Sequence, residues 1–236
     1  MAINYDKVSW CTSKPTGWID MQLDQESTDF LWDIIKEGEK EEVDAKKTLA
    51  GNISKSYFLK DKNDWFYKNV LQQAINYFMH HDSEKIYGML NQFSNNFITR
   101  DKNNKELRPI RNSIDLDSFW VNFQKKHEFN PVHNHSGLFS FVIWLKIPYE
   151  YEEQSKIQFL DGMQEESKAP GNFEFQLIDG YGKIENFKYN LGKKYEGRML
   201  FFPSQLLHLV QPFFETDETR VSVSGNLKFT FYYDVG

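Results

Sequence analysis

The run FSFVIWLKI, residues Phe139–Ile147, decides how this chain is read. It is an apolar stretch of strand length, and Pro148 stops it. A short apolar run closed by a breaker reads as a buried β-strand. Working outward, runs of the same texture lie at Phe119–Phe123, Lys156–Leu160, Phe173–Ile178, Lys183–Tyr189, Arg198–Phe202, His208–Phe213 and Thr219–Tyr233, broken by Pro, Gly and Asn. Several short strands at this spacing predict a sandwich or jelly roll. Aromatic residues make up 17% of the chain, many in short runs near its middle and end, which favours β-rich packing over a helical bundle.

The first half reads differently. Phe30, Leu31, Ile34 and Ile35 recur at helical spacing, with Asp24 or Ser27 as the cap. A second helix fits Trp65, Phe66, Val70, Ala74, Ile75 and Phe78, with Asn63 or Asp64 before it. The charged stretch Ile98–Ser113, which contains Pro109, reads as a loop or hairpin tip. There is no internal repeat and no low-complexity tract. The expected organisation is one domain over residues 1–236: a helix-containing part, 1–114, packed on a jelly-roll core, 115–236. The fold class is mainly β with flanking N-terminal helices.

Composition narrows the function. The 236 residues can bury a sizeable core. A net charge of −6 without a basic stripe argues against a nucleic-acid partner. The single cysteine, Cys11, cannot close an internal disulfide, and no apolar region follows the start MAINYDKVSW. No stretch approaches the ~20 apolar residues of a membrane helix. A cytoplasmic protein with no membrane partner is expected; oligomeric state is left open.

Chemistry concentrates in a few residues. His133 and His135 share one face if Val132–Ser136 is extended, and Pro131 favours an extended start. Two imidazoles on one face make half of a metal site, or else a pair of surface or capping histidines. His208, amid Leu206, Leu207, Leu209 and Val210, is by itself a core histidine; with the other two it becomes a candidate third ligand. His127, among charged neighbours, reads as exposed. Arg220 and Ser222 share a strand face, with Val221 and Val223 opposite. A buried arginine needs an anionic partner, and a carboxylate, from the protein or from a ligand, matches its fork.

The segments WVNFQKKHEFNPVHNHSGLFSFVIWLKIP, EGRMLFFPSQLLHLVQP and TRVSVSGNLKF, spanning roughly Phe119–Phe229, resemble the Fe(II)- and 2-oxoglutarate-dependent oxygenases, and within them a poorly characterised bacterial and phage branch. The resemblance implies a double-stranded β-helix, or jelly roll. It implies Fe(II) held by His133 and His208, and 2-oxoglutarate held by Arg220 with Ser222 assisting. It also puts Asn226 in support of the fold or pocket and Asn122 in reach of cosubstrate or substrate. The wider superfamily has a carboxylate where this chain has His135. The H-x-H form recurs in the branch, so His135 is taken as the third ligand. A second register would place Gly137 at the carboxylate position and leave His133 idle. No acid clearly replaces the missing one: Asp161 and Asp179 read as turn residues.

The activity so implied is a dioxygenase that couples oxidative decarboxylation of 2-oxoglutarate to hydroxylation of a small molecule or a protein side chain, using molecular oxygen. Two other classes stay open. One is a cupin-like three-histidine metalloprotein, a thiol dioxygenase or isomerase that does not use 2-oxoglutarate. The other is a non-catalytic jelly-roll binding module. Phe139, Phe141 and Trp144 either line the pocket or pack the core. The insertion Tyr149–Gly171 reads as a lid or as a solvated connection.

Overall fold

The computed structural model describes residues 7–13, 16–82, 98–100, 102–179 and 181–234; residues 1–6, the start of the stretch MAINYDKVSW, lie outside them. In chain order the strands are β1 (Val8–Ser13), β2 (Thr16–Gln22), β3 (Lys55–Phe58), β4 (Thr99–Arg100), β5 (Glu106–Leu107), β6 (Pro109–Gln124), β7 (Asn130–His133), β8 (Phe139–Lys146), β9 (Phe173–Ile178), β10 (Ile184–Tyr189), β11 (Arg198–Pro203), β12 (Leu207–Val210) and β13 (Arg220–Tyr233). The helices are α1 (Gln25–Glu41), α2 (residues 65–82, with a π-helical turn at Tyr67–Leu71) and the short α3 (Tyr151–Gln154). The larger sheet runs β1-β2-β11-β8-β13-β6-β3, and the smaller runs β10-β9-β12-β7. From β6 onward the chain alternates between them, save for the β9–β10 pair within the smaller sheet: β6, β8, β11 and β13 join the larger sheet, and β7, β9, β10 and β12 the smaller. This is the strand order of a double-stranded β-helix.

The apolar run at 139–147 lacks alternation because both of its faces are covered. Phe139, Phe141, Ile143 and Leu145 pack into a core shared with α1 and α2, through Leu31, Ile35, Phe66 and Phe78. Val142 and Trp144 point the other way and meet Phe173, Phe175 and Tyr189 of the smaller sheet. β11 is divided likewise, Met199 and Phe201 toward the helices, Leu200 and Phe202 toward the second sheet. The same period of two sorts β6 and β13. Phe119, Val121, Val221 and Val223 face the helical core, which turns Trp120, Asn122, Gln124, Arg220, Ser222 and Ser224 inward to one cavity.

The predicted strands Phe173–Ile178, Arg198–Phe202 and Thr219–Tyr233 are present within a residue at each end. Several expectations need correction. Lys156–Leu160 is not a strand: Gln158–Leu160 is a 3-10 turn, which buries Ile157 and Leu160 at its i, i+3 spacing and leaves Phe159 61% exposed. Phe119–Phe123 is the end of the much longer β6, which Pro109 opens as its first residue; only Thr99–Leu107 of the charged stretch forms a separate hairpin. β12 stops at Val210, before Pro212, which has no N–H to donate. α1 is capped by Asp24, whose carboxylate accepts from Ser27 N at 2.9 Å. For α2 the capping side chain is Asp61, which accepts from Phe66 N and Tyr67 N; Asn63 and Asp64 sit at positive φ. The N-terminal part also supplies three strands, β1, β2 and β3, to the larger sheet.

Asn226 ties the larger sheet together. Its Oδ1 accepts from Ser140 Oγ on β8 at 2.8 Å, and its Nδ2 donates to Ser118 Oγ on β6 at 3.1 Å. Asn226→Ala strands both hydroxyls and should lower unfolding stability by about 1–3 kcal/mol. A urea titration reads this directly, and an unchanged midpoint would show that the clasp contributes nothing.

Candidate metal centre

β7 and β12 are antiparallel neighbours, and their register sets His133 directly opposite His208. The two rings stand 4.2 Å apart, centroid to centroid. His135 arrives differently from the expectation. The extended segment ends at His133, and residues 136–138 bend. A bond from His135 N to Ser204 O, 2.8 Å, holds the departing chain against the β11–β12 turn. Gly137 has φ of +99°, and a Cβ there would lie 2.5 Å from Leu227 O. Backbone packing therefore accounts for this glycine, and in the structure His133 stands in the histidine cluster, not apart from it.

The ligand nitrogens of His133, His135 and His208 all lie within 4.8 Å of one another. His133 Nδ1 donates to Pro131 O at 2.7 Å, and His208 Nδ1 donates to Leu206 O at 2.8 Å. A carbonyl only accepts, so both rings carry their proton on Nδ1 and present a bare Nε2 lone pair. Backbone partners of this kind orient metal-bound imidazoles. His135 Nε2 and His208 Nε2 are 3.1 Å apart. Two nitrogens bound at right angles to one ion, each ~2.1 Å from it, are about 3 Å apart. The donor set fits a small divalent ion. Among the described residues no carboxylate or thiolate joins the cluster.

Burial keeps these imidazoles neutral. Desolvation lowers the pKa of His133, against the Pro131 carbonyl, which raises it. Desolvation, then the nearby His133, brings His135 down from 6.5 to about 4. His208, 4% exposed, is pushed well below the usual histidine value, first by desolvation and then by its two neighbours. Between roughly pH 6.5 and 4 the unfolded chain therefore binds protons that the folded chain refuses, so metal-free stability falls as pH falls through that window. Urea midpoints of the metal-free protein at about pH 7 and about pH 5 should differ in this sense, and bound metal should steepen the dependence. Equal midpoints would mean that the folded protein already carries these protons.

Behind the histidines lies a narrow cleft, partly open to solvent. Asn122, Arg220 and Ser222 all line it with the three histidines. Arg220 is 1% exposed. Its Nη1 donates to Tyr149 Oη and, at 2.7 Å, to Gly171 O; its Nη2 donates to Gln124 Oε1. Among the described residues no carboxylate pairs with it. Tyr149 Oη donates in turn to Gly171 O at 2.7 Å. Gly171, at φ +71°, makes this possible, because a Cβ there would come within 2.8 Å of the Tyr149 ring. Asn122 Oδ1 accepts from Ser56 Oγ at 2.6 Å. Sequence reading passed over Gln124, Tyr149, Ser56 and the wall formed by Lys46, Leu49 and Ile53. Of these only Gln124 left a trace: it follows Asn122 by two residues on the same strand face.

Residues 118–226 match the family model described as "Putative 2OG-Fe(II) oxygenase". The match covers the jelly-roll core, a little under half of the chain. Solved structures similar to the chain include a prolyl-4-hydroxylase from Pseudomonas putida, at 12% identity and TM-score 0.45 over 91% of this chain and 93% of that one. A viral collagen prolyl hydroxylase from Paramecium Bursaria Chlorella virus-1 aligns at 12% identity and TM-score 0.46, over 89% of this chain and 94% of that one. An oxidoreductase of the 2OG-Fe(II) oxygenase family from Burkholderia pseudomallei aligns at 16% identity and TM-score 0.34; it covers 50% of this chain, which spans 47% of its length. No curated protein matches the chain.

The other candidates fall outside the histidine cluster. His127 is exposed, with its backbone N–H on Phe213 O. Asp179 accepts from Tyr181 N and Lys183 N and closes the β9–β10 turn, and Asp161 ends a 3-10 turn. Phe141 and Trp144 border the cleft, whereas Phe139 packs against Phe78 and Phe201. The insertion Tyr149–Gly171 is anchored at both ends on Arg220, and buried Gln154 accepts from Phe214 N at 2.8 Å. Among the described residues no helix is long and apolar enough to cross a membrane.

Proposed function

We propose that this chain is an Fe(II)- and 2-oxoglutarate-dependent hydroxylase in which His133, His135 and His208 hold the iron. Arg220, with Ser222 and Asn122, holds the cosubstrate. One observation carries the reading: a cluster of neutral imidazoles and a buried guanidinium without a carboxylate partner share a single cleft, and no acid is among the described residues that line it. Bound iron would supply the redox chemistry: dioxygen and 2-oxoglutarate are consumed, succinate and carbon dioxide are released, and one oxygen atom enters a substrate C–H bond.

The protein's own part is binding and orientation. A guanidinium has five N–H donors. Three are committed to Tyr149, Gly171 and Gln124, which leaves two for one bidentate carboxylate. Those three neutral acceptors fix the plane of the fork without cancelling its charge, and Tyr149 and Phe213 stack beside it. Ser56 occupies the Asn122 carbonyl, so the Asn122 amide nitrogen is the end left to donate. Phe173 and Phe202 pack around His208 and keep water from its far side. The neutral three-histidine set also supports the cupin-like alternative, in which Arg220 would bind the substrate's own carboxylate.

The test is an anaerobic titration of metal-free protein with Fe(II) and then 2-oxoglutarate, followed by visible absorption. A charge-transfer band that needs both additions and is lost in His135→Ala is the expected result. Metal uptake with no response to 2-oxoglutarate would favour the cupin-like chemistry, and no metal uptake would sink the catalytic reading.

A further inference from the structure

The cleft is one-signed. The chain has 34 acidic against 28 basic side chains, yet the described residues lining the cleft include Lys46 and Arg220 and no aspartate or glutamate. Lys46 lies on the connection from α1 to β3, exposed, where that connection borders the cleft. Lysines on neighbouring segments are paired: Lys55 with Glu39 and Glu42, Lys60 with Glu41, Lys62 with Glu37. Lys46 has no ion pair among the described residues. The nearby Asp44 spends its Oδ1 on the Lys46 backbone N–H at 2.9 Å.

The charge balance, which rests on the function proposed above, gives this lysine a meaning. A divalent ion on three neutral imidazoles keeps both of its charges, and 2-oxoglutarate brings two negative ones. Arg220 takes one of its carboxylates, so two positive charges, one at the metal and one on Lys46, stand uncompensated. A carboxylate ligand at position 135 would have cancelled one of them; His135 cancels none. Net positive charge focused at the mouth of a cleft attracts a ligand that supplies the counter-charge. We infer that the prime substrate is a small organic acid, a carboxylate or a phosphate ester, whose anionic group is held by Lys46 while its reacting carbon faces the histidines. Lys46 is thus the specificity-determining residue at the mouth, and the apolar wall of Leu49, Ile53 and Val210 receives the carbon skeleton.

Proton relaxation in the Mn(II)-loaded protein tests this without turnover. Protein saturated with 2-oxoglutarate and freed of loose metal is titrated with propionate, ethyl phosphate or neutral propionamide. At least one anion should show saturable relaxation enhancement about three- to tenfold tighter than propionamide. Which anion does so separates a carboxylic acid from a phosphate ester. Lys46→Gln should remove most of the preference, and Lys47→Gln, next to it and outside the cleft, should keep it. Equal binding of propionamide and both anions, or an undiminished preference in Lys46→Gln, overturns the inference. The relaxation of 2-oxoglutarate itself is read first on the same protein. If it shows no enhancement, the cosubstrate assignment fails, a result distinct from failure of the anion preference.

Discussion

Replacing Arg220 by alanine is expected to weaken 2-oxoglutarate binding roughly 100- to 1000-fold while metal uptake stays intact. The size follows from where the guanidinium sits. It is almost wholly buried, and its protein partners are a phenol, an amide and a backbone carbonyl, none of which carries charge. A carboxylate docked there forms a desolvated, doubly hydrogen-bonded ion pair, and truncating one side of such a pair leaves the other unpaired. Arg220→Lys keeps the charge but loses the fork, so it should fall between wild type and alanine. Anaerobic titration of the Fe(II) protein measures the dissociation constant in each case. Wild-type affinity in Arg220→Ala would show that the cosubstrate binds elsewhere or not at all. Part of the change could come from a loosened fold. Tyr149 Oη, Gly171 O and Gln124 Oε1 all lose a donor in the variant, and only Gly171 O keeps another, from Tyr149, so a lowered urea midpoint is expected and intact metal uptake is the control that separates lost binding from lost fold.

His208→Ala should abolish stoichiometric metal binding, with affinity reduced more than ~100-fold, beyond what losing an outer partner of a ligand costs. His208 is the ligand candidate that the structure constrains most. It is buried, paired by register with His133, bonded through Nδ1 to Leu206 O, and within 3.1 Å of His135 Nε2. No acidic side chain among the described residues stands close enough to take its place. His127→Ala is the control, since His127 is exposed and outside the cluster. Metal content after loading and desalting separates the two, and full occupancy in His208→Ala would refute the three-histidine centre.

Much of this arrangement was legible in the sequence, for reasons that can be named. H-x-H beside a long-range histidine, and R-x-S on a two-residue period, are patterns that a sheet converts directly into shared faces. The structure does gather His133, His135, His208, Arg220, Ser222 and Asn122 around one cleft. What stayed hidden depended on tertiary partners. β2 reads poorly as a strand because Asp20 interrupts its apolar residues, and that acid is buried only because Arg198 of β11 pairs with it. β3 is four residues long, too short for a period. His135 lies past the end of β7, in the irregular segment before the bend at residues 136–138, which local pattern does not encode. Tyr149 follows Pro148 in a polar stretch, and nothing in its surroundings marks it as the residue that steadies Arg220.

The place of β2 beside β11 also sets a timetable for synthesis. Asp20 and Arg198, which lock the two strands together, are 178 residues apart in the chain. A ribosome adding roughly 5–20 residues per second needs about 10–40 s to cover that distance. For that interval β1 and β2 are without β11, the neighbour that covers β2 in the finished sheet. The nascent chain, more than the finished protein, is where aggregation competes with folding, and slower growth with chaperone cover is the regime in which intact protein should accumulate.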